Sequence, residues 1–220
     1  MKRQELARYL DHTLLKADAT TAEIDRLVEE AIQWDTYAVC VNSGYTARVR
    51  DLRGDYARLH IAATVGFPLG QAATDAKVAE TRAAIASGAD EIDLVWNLGL
   101  FLSEQFEAVT ADIREVVSAA GPVPVKVILE TARLDAGHMA HGAHLAVAAG
   151  AHTVKTSTGF GFPGATVDAV KTLRQAVGPN IGVKASGGIR TYDDAIAMIE
   201  AGATRIGLSQ TVAVLKAAPI

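Results

Sequence analysis

Short runs of β-branched and other apolar residues recur along the chain, separated by longer stretches dominated by Ala, Leu, Glu and Arg. Eight of the runs read as strands: YLDHTLL, YAVCVN, LHIAATVGF, EIDLVWN, VPVKVILE, TVKTST, IGVKAS and TRIGLS. Helix-like stretches lie between most of them, for example over residues 74–87, 104–119, 140–149 and 193–201. Such alternation implies parallel strands, because each return must cross over the sheet. Eight units within 220 residues predict an α/β fold, a (β/α)8 TIM barrel over residues 1–220, rather than an open sheet. No Ser/Pro-rich linker or low-complexity segment divides the chain, so one domain is expected.

A weak repeat supports the barrel. GADEID from Gly88, GAHTVK from Gly150 and GATRIG from Gly202 share the frame Gly-Ala-x-x-(Ile or Val)-x. The glycine can end a helix in a left-handed conformation and the next residues start a strand, so each copy reads as a helix-to-strand junction. The sixth position, Asp93, Lys155 or Gly207, then falls at equivalent depth in three strands.

Alternation along a strand sends one set of side chains into the barrel and the other towards the helices. In HTVKTST, an outward Val154 leaves Thr153, Lys155 and Ser157 inward. In IGVKASG, an outward Val183 leaves Gly182, Lys184 and Ser186 inward. EIDLVWN sends Ile92, Leu94 and Trp96 outward and Asp93 inward, while LDHTLL and VKVILE add Asp11, Thr13, Lys126 and Glu130 as candidates. Any one of these charges could belong to an inert buried ion network, but two lysines and an acid converging in one barrel point to chemistry. An amine attacks only when deprotonated, and with an ordinary pKa of about 10.4 roughly one lysine in 2,500 is neutral at pH 7. Lowering that value to about 7 needs about 4.6 kcal/mol, which desolvation and a second ammonium can supply. The expected chemistry is a Schiff base to a carbonyl compound, with Asp93 moving or positioning protons.

Phosphate sites in such barrels often lie after strands seven and eight. The loops there, SGGIR with Gly187 and Gly188 and GLSQ with Gly207 and Ser209, allow close backbone approach, and Arg190 is a candidate supporting cation. Together with a central lysine they predict a phosphorylated carbonyl substrate. GFGFPG, from Gly159 to Gly164, matches a dinucleotide-binding pattern, but Lys184 occupies the region where a ribose-binding acid belongs, so it reads as a mobile loop after strand six. His138, His141 and His144 read as a solvated helix face, and no metal is expected.

Composition narrows the partners. A formal net charge of −4 offers no basic footprint for nucleic acid or an anionic membrane. The single cysteine, Cys40, sits in strand-like YAVCVN as a small hydrophobe, which fits a reducing cytoplasm. The N-terminal MKRQELARYLDHTLL lacks the apolar stretch of a signal peptide, and no run reaches the ~18 residues of a membrane span, so a soluble, unprocessed chain is expected. Oligomeric state is not set by these features, and a homo-oligomer is compatible with them.

DHTLLK, CVN, TVGFPLG, EIDLVWNLG, VKVILET, VKTSTGF, VKASGGIR and AGATRIGLS together resemble the deoxyribose-phosphate aldolases, over about Tyr9 to Ser209. The resemblance implies a class I aldolase without cofactor or metal that reversibly cleaves 2-deoxy-D-ribose 5-phosphate to acetaldehyde and D-glyceraldehyde 3-phosphate. It implies Lys155 as the Schiff-base lysine, Lys184 as the second lysine that tunes it, and Asp93 as the proton-relay acid. Thr158, Gly159, Gly187, Gly188, Gly207 and Ser209 match its phosphate-contacting segments. Phe160 stands where some members carry lysine, which shifts phosphate recognition towards backbone amides, and Gln210 replaces a serine of some members, which removes a hydroxyl contact there. Two readings compete on the residues alone: a phosphosugar isomerase or synthase using Asp93 or Glu130 without an imine, and a sugar-phosphate binding protein whose lysines neutralise the ligand.

Overall fold

The eight apolar runs form β1 (Leu10–Leu14), β2 (Ala38–Asn42), β3 (His60–Val65), β4 (Glu91–Val95), β5 (Val125–Ile128), β6 (Thr153–Lys155), β7 (Gly182–Ser186) and β8 (Arg205–Leu208). In this computed structural model, which describes Met1–Ile220, the strands pair in parallel in chain order and β8 closes onto β1. The helices are α1 (Arg3–Ala7), α2 (Thr21–Gln33), α3 (Thr46–Arg53), α4 (Thr74–Ala86), α5 (Leu98–Leu102), α6 (Phe106–Ala120), α7 (Ala136–Ala148), α8 (Val167–Val177), α9 (Tyr192–Glu200) and α10 (Thr211–Ala217). None is long and apolar enough to cross a membrane.

Two helix starts differ from the sequence expectation for identifiable reasons. α6 begins after residue 104 because Glu104 takes a positive φ of 58° at the end of the α5 turn. α7 begins four residues early because the Asp135 side chain accepts a hydrogen bond from the His138 amide and caps it.

The strand parity holds. Ile92, Leu94, Trp96, Val154 and Val183 face outward into the main apolar core, where they meet Val109, Ile113, Val116, Val170 and Leu173 from α6 and α8. Each such side chain contributes about 1.5–3 kcal/mol by leaving water. Inside the barrel the apolar content is small: Leu15, Cys40 and Ala62 form their own buried group. Cys40 is fully buried, as expected of a small core residue. The fold's stability is thus built around the barrel wall, and the interior is left to polar and charged groups.

The three repeated junctions behave alike. Gly88, Gly150 and Gly202 follow α4, α7 and α9 at φ of 106°, 100° and 110°, a region that L side chains avoid. At Gly202 the neighbour is Arg174, whose Nε and Nη2 donate to the Gly202 carbonyl at 3.1 and 3.0 Å while Nη1 donates to the Gly178 and Ile181 carbonyls. A Cβ at 202 would stand 2.7 Å from the Arg174 Cγ. Gly202→Ala should therefore lower stability in urea denaturation by at least about 1 kcal/mol, since backbone strain and the displaced arginine add. A variant as stable as the parent would show that the positive φ is not required.

Candidate active site

Neighbouring strands bring their inward side chains into one charged cluster. β6 and β7 pair with Lys155 opposite Lys184, and β4 and β5 with Asp93 opposite Lys126. Asp93 is the hub: its Oδ1 accepts from Lys126 Nζ at 2.8 Å, and its Oδ2 accepts from Lys155 Nζ at 2.8 Å and Lys184 Nζ at 2.7 Å. Lys184 also donates to Asp11 Oδ2 at 2.5 Å. Deeper in the barrel, Lys126 Nζ lies 2.7 Å from Glu91 Oε2, and Arg205 Nη1 bridges Asp11 at 2.9 Å and Glu91 at 3.4 Å. The Arg205 guanidinium lies over the Tyr37 ring, 3.4 Å from its centroid.

This geometry changes the expected tuning. The Lys184 ammonium does not face Lys155 bare, because the Asp93 carboxylate bridges them and Asp11 further compensates Lys184. Burial opposes the charge on Lys184, but Asp11 and Asp93 outweigh it and raise its pKa well above the ordinary lysine value. Burial likewise opposes ionisation of Asp93, yet Lys126, Lys155 and Lys184 hold its carboxyl well below the usual range. Asp11, opposed by burial and favoured by Lys184 and Arg205, falls to about 2. The Cys40 Sγ is 3.9 Å from Asp93 Oδ2, and burial pushes its thiol pKa up, so it remains neutral beside the cluster.

Above the cluster a cavity of ≈ 550 Å³ opens at the C-terminal mouth of the barrel. Lys155, Thr158, Gly159, Gly187, Gly188, Gly207 and Ser209 all line it, with Arg190 and Lys16 as cations. Lys184 and Asp93 lie beneath, both fully buried. The end of β1 and the residues after it supply a further wall, Thr13 to Lys16, of which the sequence pattern singles out only Thr13.

The loops over the cavity are locked to each other by small polar contacts. The Ser186 hydroxyl donates to the Ser157 carbonyl at 2.7 Å, and Thr156 Oγ1 exchanges hydrogen bonds with the Ser186 backbone. Glu130, at a positive φ of 56°, accepts through Oε2 from the Thr158 hydroxyl at 2.5 Å, so its carboxylate anchors the TSTG segment. Gly164 packs against Gly187 so closely that a Cβ would stand 2.0 Å from the Gly187 carbonyl oxygen. The GFGFPG segment is therefore an irregular connection clasping the β7 loop, and Gly159 and Gly164 serve that approach. The backbone N–H groups of Gly187, Gly188 and Ser209 find no backbone acceptor, which leaves donors around the cavity for an anion.

The three histidines of α7 diverge. His138 pairs with Asp135 at 2.9 Å, His141 packs edge-on against Phe106 and Phe101, and His144 Nε2 is 3.0 Å from the Ala176 carbonyl oxygen. They are more engaged with neighbours than a purely solvated face would be.

A family model described as DeoC/LacD family aldolase matches residues 6–217. The deoxyribose-phosphate aldolase of Coprothermobacter proteolyticus is 49% identical over 213 residues, 96% of each chain. That of Thermococcus kodakarensis is 48% identical over 222 residues, covering 100% of this chain and 99% of its own. Among solved structures, a putative deoxyribose-phosphate aldolase from Coccidioides immitis superposes with a TM-score of 0.95 at 37% identity, covering 98% of this chain and 86% of that one. The deoxyribose phosphate aldolase of Aeropyrum pernix, described as a unique tetramer, has a TM-score of 0.90 at 35% identity over 97% of this chain and 91% of that one.

The Asp11 network gives a pH dependence of defined sign. Its folded pKa of about 2 lies below the ordinary 3.8, so its stabilising effect is present above pH ~4 and is lost as pH falls towards 2. The shift corresponds to about 2 kcal/mol. Asp11→Asn should be less stable at neutral pH and should lose less stability between pH 4 and 2 than the parent, measured by urea denaturation across that range. Parallel acid limbs would contradict the assignment.

Proposed function

The chain belongs to the DeoC/LacD family of aldolases, and we propose that it cleaves 2-deoxy-D-ribose 5-phosphate reversibly to acetaldehyde and D-glyceraldehyde 3-phosphate through an imine on Lys155. The observation that carries the residue assignment is that Lys155 alone among the interior lysines lines the cavity, while Lys184 is sealed between two carboxylates beneath it. A nucleophile must meet its carbonyl, and this access supports Lys155 in that role among the interior lysines.

In this reading the free amine of Lys155 adds to C1 of the open-chain sugar, and loss of water gives an iminium. Removal of the C3 hydroxyl proton lets the C2–C3 electron pair move into the iminium, which releases D-glyceraldehyde 3-phosphate and leaves an enamine. Protonation at C2 and hydrolysis then return acetaldehyde and Lys155. Asp93 Oδ2 accepts from both Lys155 and Lys184, so a carboxylate and a second ammonium stand beside the reacting nitrogen throughout. Asp93 and its partner Lys184 thus form the proton-positioning pair. Around the mouth, the free amides of Gly187, Gly188 and Ser209, with Thr158, Gly159 and Gly207 beside them, are suited to the phosphate, and Arg190 adds a positive charge.

Two outcomes test this. Acetaldehyde with borohydride should leave an ethyl group on Lys155, found by peptide mass mapping, and Lys155→Leu should abolish labelling; an adduct confined to Lys184 would reverse the roles. Gly188→Val, placed at a φ of 78° in the mouth, should reduce kcat/KM for the phosphorylated sugar at least about tenfold more than for free deoxyribose. Equal losses for the two sugars would remove this loop from the phosphate site.

A further inference from the structure

The barrel interior holds four cations, Lys126, Lys155, Lys184 and Arg205, against three carboxylates, Asp11, Glu91 and Asp93. The compensation is uneven. Lys126 has Glu91 and Asp93, Lys184 has Asp11 and Asp93, and Arg205 has Asp11 and Glu91. Lys155 has only Asp93, whose other partners are Lys126 and Lys184. The surplus positive charge therefore falls on the one amine that reaches the cavity. Resting on the reading of Lys155 as the imine-forming residue, we propose that Lys126, which lines none of that cavity, is a positioning residue whose charge keeps Lys155 in the free-amine form that attacks.

The argument is geometric and electrostatic. Lys126 Nζ occupies Asp93 Oδ1 at 2.8 Å and Glu91 Oε2 at 2.7 Å, so it draws on the carboxylate that Lys155 would otherwise hold more fully. In a buried site charges separated by one bridging carboxylate are poorly screened, and a neighbouring charge at ~4–6 Å moves a proton equilibrium by about 1–3 units. With Lys126 ionised, loss of a proton from Lys155 balances the interior. Without it, three cations already balance three anions, and Lys155 keeps its proton. Of the other titratable groups nearby, Cys40 on β2 is held as a thiol by burial, Glu130 after β5 accepts from Thr158 through Oε2, and Lys16 and Arg190 line the cavity rather than the cluster. Tyr37, stacked on His60, underlies Arg205 at the base of the cluster.

The count predicts opposite effects for opposite charges. Labelling of Lys155 by acetaldehyde and cyanoborohydride would be followed from pH 5 to 10 by peptide mass mapping in the parent, Lys126→Met, Glu91→Gln, the double variant and Lys126→Arg. Lys126→Met should move the midpoint of labelling to higher pH by about one unit or more, and Glu91→Gln should move it to lower pH. The double variant loses one cation and one anion together, so its midpoint should return to that of the parent, as should that of Lys126→Arg. A loss of labelling amplitude in Lys126→Met without a midpoint shift would make Lys126 merely structural and overturn the proposal. So would a double variant shifted as far as the single one. Should Lys126→Met fail to fold, a parental midpoint in Glu91→Gln overturns it equally. A parent that leaves Lys155 unlabelled refutes the imine itself, whereas a labelled parent with coincident midpoints refutes only the role of Lys126.

Discussion

One carboxylate shared among three ammonium groups is the constraint on which this molecule turns. Asp93 is fully buried and receives Lys126, Lys155 and Lys184 on two oxygens. Buried charges are costly to desolvate and are tolerated only when paired and hydrogen-bonded. The pairing here demands that β4, β5, β6 and β7 hold their registers, because a slip of one residue would turn each of these side chains outward into the apolar shell. That shell of Ile92, Leu94, Val154, Val183 and the helix faces is what makes such slippage expensive. The apolar wall supplies stability, and the register it enforces supplies the chemistry.

Much of this was legible in the chain. Eight apolar runs with period-two alternation placed every strand, and the outward valines of HTVKTST and IGVKASG put Lys155 and Lys184 on the inner face. The Gly-Ala repeat marked three junctions, and each glycine does adopt a positive φ. Less legible were pairings between residues far apart in sequence. Asp11 and Lys184 are 173 residues apart, and nothing in either motif says that the acid of β1 compensates the lysine of β7. Glu91 and Arg205, two residues before Asp93 and Gly207 in the repeated frame, occupy the same inner face and could have been read by parity, but strand ends gave no reason to single them out. The helix starts at Asp135 and Phe106 depended on one side-chain cap and one left-handed residue, which periodicity does not report.

The loops obey a different logic from the strands. Around the mouth, small and flexible residues permit backbone-to-backbone contact, as where Gly164 meets Gly187 and where the Ala165 amide donates to both the Ser186 and Gly187 carbonyls at 3.0 Å. Those contacts satisfy carbonyls and leave the neighbouring amides of Gly187 and Gly188 unclaimed. An anion can then be met by N–H groups fixed in advance, which costs less reorganisation than recruiting long side chains. Phe160 lines the mouth without adding charge, in keeping with such a backbone-based site.

The two central lysines have opposite fates for a reason visible in strand length. They sit side by side in register, yet β6 ends at Lys155 whereas β7 continues two residues further to Ser186. Beyond Lys155 the chain breaks into the TSTG loop and the cavity opens directly over that side chain. Beyond Lys184 the strand carries on, with Ala185 and Ser186 and the Ser186–Ser157 hydrogen bond above it, and its ammonium is enclosed. Lys155 is also the cation with the fewest carboxylate partners. Access and weak compensation coincide at the same nitrogen, because a side chain at the end of a strand is within reach of the cavity above but can touch the deeper acids only through the hub. In this barrel the place where a strand stops therefore decides which amine the cavity can reach.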